Sequence, residues 1–226
     1  PGAYYAKYIT DSYGEGRVGK FHADDALEVD VVADLGYTDS CSWWAWQTLP
    51  DGYKIIDFYE ADGQPISHYI DWVKDRPYKV GTVYLPHDAR AKSLQTGKSI
   101  MEQFLAAGIT PKIVPSMGLQ DGIEAARMVL PKCYFNEETT YEGIEHLRSY
   151  MREWDERTQM FRNKPRHDQH SHASDAFRYL ALSARPTGGS KKTSSEGPKQ
   201  LKTNAMYEFT LDGIWDCQPS QSTRVG

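Results

Sequence analysis

Three aspartates stand where a carboxylate can do chemistry. Asp34 closes the apolar run that begins at Val29, and Asp88 follows the apolar run Val80 to Leu85. Asp175 lies in the Ala- and Leu-rich stretch that ends near Ala184. Neighbouring strands run about 4.8 Å apart, so two carboxylates at the same ends of adjacent strands can share a cation. A third, from a helix packed on them, completes a set of hard oxygen donors suited to Mg²⁺ or Mn²⁺. The competing reading is simpler: aspartates at the ends of elements cap helices and make turns. Spacing alone does not make the two strands neighbours, so both readings stand at this level.

The elements that would position these groups are legible in outline. Residues 1–27 are rich in Tyr and Gly, and Tyr13-Gly14-Glu15-Gly16-Arg17 reads as a turn, giving an N-terminal linker or entry segment. Ser42 to Thr48 and Tyr53 to Tyr59 flank Pro50-Asp51-Gly52 and predict a β-hairpin. Helices are expected from Pro65 to Lys74, Ser99 to Ala107, Leu119 to Leu130 and His172 to Ala184, with short strands at Val80 to Leu85 and Lys112 to Val114. Tyr141 to Thr158 reads as the best helix, with Ile144, Leu147, Met151 and Trp154 along one core-facing stripe. A polar loop is expected from Asn163 to Ser171. Hairpin strands first, then strands alternating with helices, fit an α/β mixed sheet with helices on its faces. After Pro186 the composition turns to Gly, Ser, Thr and Lys, the mark of a flexible tail over 186–226. Its apolar end (Met206, Tyr207, Phe209, Leu211, Ile214, Trp215) suggests a segment that docks, on a partner or back on its own domain.

Composition narrows the function classes. The 226 residues are 25% charged and 39% hydrophobic, with mean hydropathy −0.65. No apolar stretch approaches the roughly 20 residues of a membrane-spanning helix, so no membrane role is expected. Three cysteines form no disulfide framework and point to a reducing compartment. Pro1 is no natural initiator, which suggests a fragment of a longer chain. The net charge is −5, and residues 1–185 alone carry −6, which argues against binding nucleic acid by bulk charge but not against carboxylates that hold cations.

Four segments, in order, resemble the nuclease domain of the large terminase subunit of tailed double-stranded DNA bacteriophages. They are Gly2-Ala3-Tyr4-Tyr5-Ala6-Lys7; Asp34-Leu35-Gly36-Tyr37-Thr38-Asp39; Leu85-Pro86-His87-Asp88-Ala89; and the run from His167-Asp168 through His172 and Asp175-Ala176-Phe177-Arg178-Tyr179. The resemblance implies a ribonuclease H-like domain over 28–185, with the first and fourth strands side by side at the sheet centre. It makes Asp34, Asp88 and Asp175 the catalytic ligands of two Mg²⁺ or Mn²⁺ ions. Asp39 matches a position that in some members also reaches the metals, although a turn-capping aspartate would look the same. Asp168 and His172 fall around the ligands, Asp168 either orienting His172 or capping the last helix.

The implied reaction is phosphodiester hydrolysis by two ions about 3.5–4 Å apart, one activating a water and one stabilising the leaving 3′ oxygen. Bound cations would also invert the local field that otherwise repels DNA. The implied partners are double-stranded DNA, an upstream packaging ATPase domain, the portal protein and the small terminase subunit, in the host cytoplasm during assembly. The portal is the sharper of the two readings of the tail. Two rivals use the same residues differently: a Holliday-junction resolvase of the same fold, and a non-enzymatic interaction domain whose aspartates are caps.

Other motifs are weaker. Thr96-Gly97-Lys98-Ser99 invites a phosphate loop, but Lys92 stands where its first glycine belongs, so no ATP site is expected. His167, His170 and His172 lack a second ligand cluster for zinc and read as a loop that buttresses Asp175. Arg90, Lys92, Lys98 and Arg166 are candidate phosphate contacts.

Overall fold

The apolar runs become one seven-stranded mixed sheet with helices on both faces. The computed structural model describes residues 2–36, 40–93 and 97–184. Asp39 and the expected tail over 186–226 therefore lie outside the described residues, as does the docking reading of that tail. The strands are β1 (Val18–Gly19), β2 (Val29–Asp34), β3 (Ser40–Leu49), β4 (Gly52–Asp62), β5 (Val80–Leu85), β6 (Lys112–Ile113) and β7 (Cys133–Asn136), in the order β1-β7-β4-β3-β2-β5-β6. β3 pairs antiparallel with β2 and with β4, and every other pairing is parallel.

β2 and β5, the first and fourth of the strands running from β2, lie side by side as expected, with Val32 opposite Tyr84. They stand fifth and sixth in the sheet, to one side of the centre, which β3 occupies.

Alternation along β2 sorts its residues between two cores. Val29, Val31 and Ala33 pack with Trp43 and with Tyr69, Ile70 and Val73 of α2 (Ile66–Lys74) and Phe104 of α3 (Ile100–Ala106). Val32 packs with Trp44 and Trp46 under α1 (Ala6–Gly14), α4 (Leu119–Val129), α5 (Glu137–Ser149) and α6 (Ser171–Ser183). Asp34 has the parity of Val32, so its carboxylate turns toward α6. Trp43, Trp44 and Trp46 are all fully buried. Each removes about 150–250 Å² from water, about 4–6 kcal/mol of transfer free energy before entropy is counted. α3 starts where its sequence dictates: Ser99 and Glu102 form a reciprocal capping box.

Two expectations are overturned by backbone pairing. The helix expected from Tyr141 to Thr158 stops at Ser149, and the chain turns into a separate hairpin of β8 (Arg152–Asp155) and β9 (Met160–Pro165). The Tyr4 N–H donates to the Tyr150 carbonyl and the Arg152 N–H donates to the Gly2 carbonyl, each at 2.8–2.9 Å. Those bonds draw residues 150–152 out of the helix. Ile144 and Leu147 are core as expected, but Met151 and Trp154 are exposed. With β9 taking residues 160–165, the expected polar loop shrinks to the turn before α6.

The expected entry segment is likewise built into the domain. It forms α1, Tyr5 and Ile9 are fully buried, and Arg17 donates to the carbonyls of Leu130 and Cys133 at 3.1 and 3.0 Å. No helix among the described residues is long and apolar enough to cross a membrane.

Candidate active site

Asp34 is the last residue of β2, and its side chain is 17% exposed. His172, in the first turn of α6, brings Nδ1 to 3.4 Å from its Oδ2. Burial pushes the Asp34 carboxyl above the usual range, and the charge of Asp175 adds to that while the His172 contact opposes it. Asp88 follows the neighbouring strand, β5. Pro86 leaves β5 extended, and a single 3₁₀ turn over His87–Arg90 follows and holds Asp88 exposed. Parallel pairing of β2 with β5 thus brings Asp34 and Asp88 to one cleft of about 400 Å³, with Arg178 and Tyr179 of α6 on its wall.

Asp175 sits one turn beyond His172 on α6. Arg178 Nε at 3.0 Å and the Tyr150 hydroxyl at 3.2 Å donate to its Oδ1, and Arg178 Nη2 forms an ion pair with the same atom at 2.9 Å. Oδ2 has no hydrogen-bond partner among the described residues. Arg178 is 7% exposed. Burial opposes its charge, but Asp175, Tyr150 and Tyr179 together favour it and its pKa is raised. Tyr179 lies in the field of all three aspartates: burial pushes its hydroxyl up to about 12, with Asp34, Asp175 and Asp88 adding to the rise and Arg178 opposing it. The structure therefore brings Asp34 and Asp88 to one cleft, with Arg178, the partner of Asp175, on its wall.

Among the described residues no three His, Cys, Asp or Glu side chains approach closely enough to hold one ion. The donors still fit a hard divalent cation in their chemistry. Asp34 and Asp88 offer carboxylate oxygens to one cleft, the contacts described above for Asp175 all fall on Oδ1, and the repulsion between Asp34 and Asp175 is of the kind a cation relieves.

The surrounding residues divide. His172 reaches Asp34 rather than Asp175, while His170 Nδ1 meets His146 Nδ1 at 2.9 Å and His167 Nδ1 meets the Ser171 hydroxyl at 3.2 Å. Asp168 shapes the entry to α6: its side chain accepts from the His170 N–H at 2.9 Å and its carbonyl from the Ser171 N–H. Asp168 makes a turn two residues ahead of His170, the N-cap of α6, and Arg166 pairs with it at 3.3 Å beside the β8–β9 hairpin. Arg90 is exposed on the 3₁₀ turn that carries Asp88. Lys92 and Lys98 line a second trough of about 580 Å³ that shares Asp88 with the first. Gly97, left-handed at φ 65°, precedes the Ser99 cap.

Sequence reasoning did not single out Arg178 or Tyr150. The Asp175–Arg178 spacing, i to i+3 on a helix, is the signal that could have found the first. Nothing local marks Tyr150, which the misread helix had absorbed.

No family model matches this chain, and no curated protein matches it in sequence. Solved structures do. The large terminase of a thermophilic bacteriophage, in complex with ATP-gamma-S, is 20% identical over 80% of this chain and 45% of its own, with a TM-score of 0.60. The P22 large terminase nuclease domain is 17% identical over 74% of this chain and 88% of its own (TM-score 0.54). The nuclease domain of the bacteriophage SPP1 large terminase, with bound Mn, is 16% identical over 72% of this chain and 92% of its own (TM-score 0.53). The chain thus spans less than half of the thermophilic phage's protein and most of each isolated nuclease domain. Its fold is that of the large-terminase nuclease domains, a ribonuclease H-like mixed α/β fold.

Proposed function

We propose that this chain carries the nuclease domain of a viral DNA-packaging motor, a divalent-metal-dependent endonuclease that cuts concatemeric double-stranded DNA. The observation that supports it most is the meeting of Asp34 and Asp88, from the ends of two adjacent parallel strands, in one cleft walled by α6, the helix that carries Asp175. It occurs in a chain whose fold matches nuclease domains, one of them solved with Mn.

In this reading Asp34, Asp88 and Asp175 hold two Mg²⁺ or Mn²⁺ ions, and Asp39 is a further candidate. Bound there, divalent cations would supply a water of lowered pKa and charge stabilisation for the leaving 3′ oxygen. The chain's own residues do the rest. His172 steadies Asp34, Arg178 and Tyr150 fix the orientation of Asp175, and Asp168 sets the start of α6 and with it the place of His172. Lys92, Lys98 and Arg90, on the Asp88 side, meet the DNA backbone without reading bases. Arg166, beside the hairpin, would meet it farther from the cleft. An ATPase domain preceding this one, the portal protein and the small subunit complete the motor, and the host cytoplasm is its place of work.

The test is nicking and linearisation of supercoiled plasmid by the purified chain in EDTA, Mg²⁺ or Mn²⁺, with Asp88→Asn alongside. Cutting that needs metal and vanishes in the variant is the expected result. Cutting in EDTA, or undiminished cutting by the variant, would overturn it. A cruciform substrate in the same assay separates this reading from a junction resolvase, which would prefer the branch.

A further inference from the structure

We propose that Arg178 is the built-in counter-cation of this carboxylate site, holding it together when no metal is bound. The inference rests on the metal-dependent reading above for its second half only. Asp34 and Asp88 share one cleft, and Asp175 is paired with the arginine that lines it, so carboxylates gather on both sides of that arginine. Such a site needs either bound cations or a positive charge of its own. Arg178 is the cation the fold supplies. It comes from the same helix as Asp175, its guanidinium is almost wholly buried, and it lines the cleft that Asp34 and Asp88 share.

Its geometry limits what it does. Both N–H groups that reach Asp175 land on Oδ1, and the Tyr150 hydroxyl lands on the same atom. Arg178 therefore neutralises Asp175 and fixes its orientation without covering Oδ2. The arginine is itself confined. A Cβ on Gly122 of α4 would stand 3.1 Å from Arg178 Nη1, so glycine leaves the room in which the guanidinium lies. A buried cation with such neighbours is costly to strand, which ties it to the carboxylate.

Removing the charge should make folding of the site depend on metal. In EDTA, Arg178→Gln is expected to lower Tm by about 5–10 °C, on the scale of a broken, partly buried ion pair in a domain of this size. Arg178→Lys, which keeps the charge, should lose less than half of that. Stabilisation by added Mg²⁺ or Mn²⁺ should be larger in Arg178→Gln than in wild type, because the ions take over the missing role.

The decisive control is Asp175→Asn/Arg178→Gln, measured in EDTA. If Arg178 acts as counter-charge, the double variant recovers most of the loss of Arg178→Gln. Where Arg178→Gln alone does not fold, a folded double variant supports the proposal equally. A double variant as unstable as the single one, or no more foldable, would mean that Arg178 acts by packing, and the proposal falls. Where metal stabilises wild type, an equal shift in Arg178→Gln would also overturn it. If wild type itself shows no stabilisation by either metal, the functional reading fails, while the metal-free cycle still decides the role of Arg178.

Discussion

The two walls of the cleft are built differently. On the α6 side each group is held by another. His172 meets Asp34, Arg178 and Tyr150 meet Asp175, and the Trp44 indole donates to the Ala173 carbonyl at 2.8 Å, which ties α6 to the sheet. On the β5 side Asp88 stands exposed on a single 3₁₀ turn, with Lys92 and Lys98 in the trough beyond it. One wall is set by packing before anything binds, and the other is a short turn at the end of a strand. A site of this kind fixes two carboxylates in advance and leaves the third to adjust.

The largest effects should come from removing a carboxylate from either wall. Asp34→Asn and Asp88→Asn are both expected to abolish metal-dependent plasmid cleavage. Asp34→Asn should do so with Tm held or raised, since it removes a buried, repelled charge. A marked fall in its melting temperature would show that the braced wall needs that charge.

Next comes the packing that supports the braced wall. A Cβ on Gly143 of α5 would stand 2.7 Å from the Phe58 ring and collide with the Trp44 indole. Gly143→Ala is expected to cost about 1–3 kcal/mol, which denaturant unfolding reads directly. An unchanged midpoint would show that α5 can lift off the sheet freely.

His172→Ala tests the brace itself, with an expected loss of about 10–100-fold in cleavage rate at unchanged folding, the usual scale for a group that orients a ligand. The matching change on the open wall, Lys92→Ala, should weaken DNA binding and leave the rate at saturating DNA unchanged. Equal losses in rate from both would erase the contrast between the walls.

Tyr150→Phe removes one donor from Asp175 and should cost about 1 kcal/mol, or roughly 2–4 °C in Tm. The smallest effect concerns pH. Burial lowers the His146 pKa, with His170 adding to that and Glu60, Glu142 and Asp168 opposing it. The unfolded chain therefore takes up that proton first. Its stabilising share is whole above the ordinary histidine value near 6.5 and is lost as pH falls below it. Melting curves between pH 7.5 and 5.5 should slope accordingly in wild type and less in His146→Gln. Parallel slopes would remove His146 from the account.

The same contrast governs what the sequence let one read. The β3–β4 hairpin, the capped start of α3, β5 and α6 follow from local chemistry: a Pro-Asp-Gly turn, a Ser-x-x-Glu box, an apolar run and a helical stripe. The places of Asp34 at the end of β2, Asp88 just after β5 and Asp175 within α6 are legible for the same reason. The parts misread were decided at a distance. Ile144, Leu147, Met151 and Trp154 keep a helical period, yet the bonds from residues 2–4 break the helix after Ser149. Arg17 sits in a Gly-rich turn by sequence and is buried against Leu130 and Cys133 in space. His172 reaching Asp34 and Tyr150 reaching Asp175 are likewise contacts between distant segments, and no local pattern encodes them.

The position of α6 along the chain sets a timetable. Asp34 and Asp88 both lie in the first half of the protein, and Asp175 arrives with the last described helix. At about 5–20 residues per second on the ribosome, roughly 5–20 s separate the emergence of Asp88 from that of Asp175. Throughout that interval the nascent chain holds an open sheet face, with Val32, Trp44 and Trp46 awaiting cover. The helix that finally shields those residues also delivers the third carboxylate. In the proposed reading, the segment that closes this core is thus also the one that completes the site.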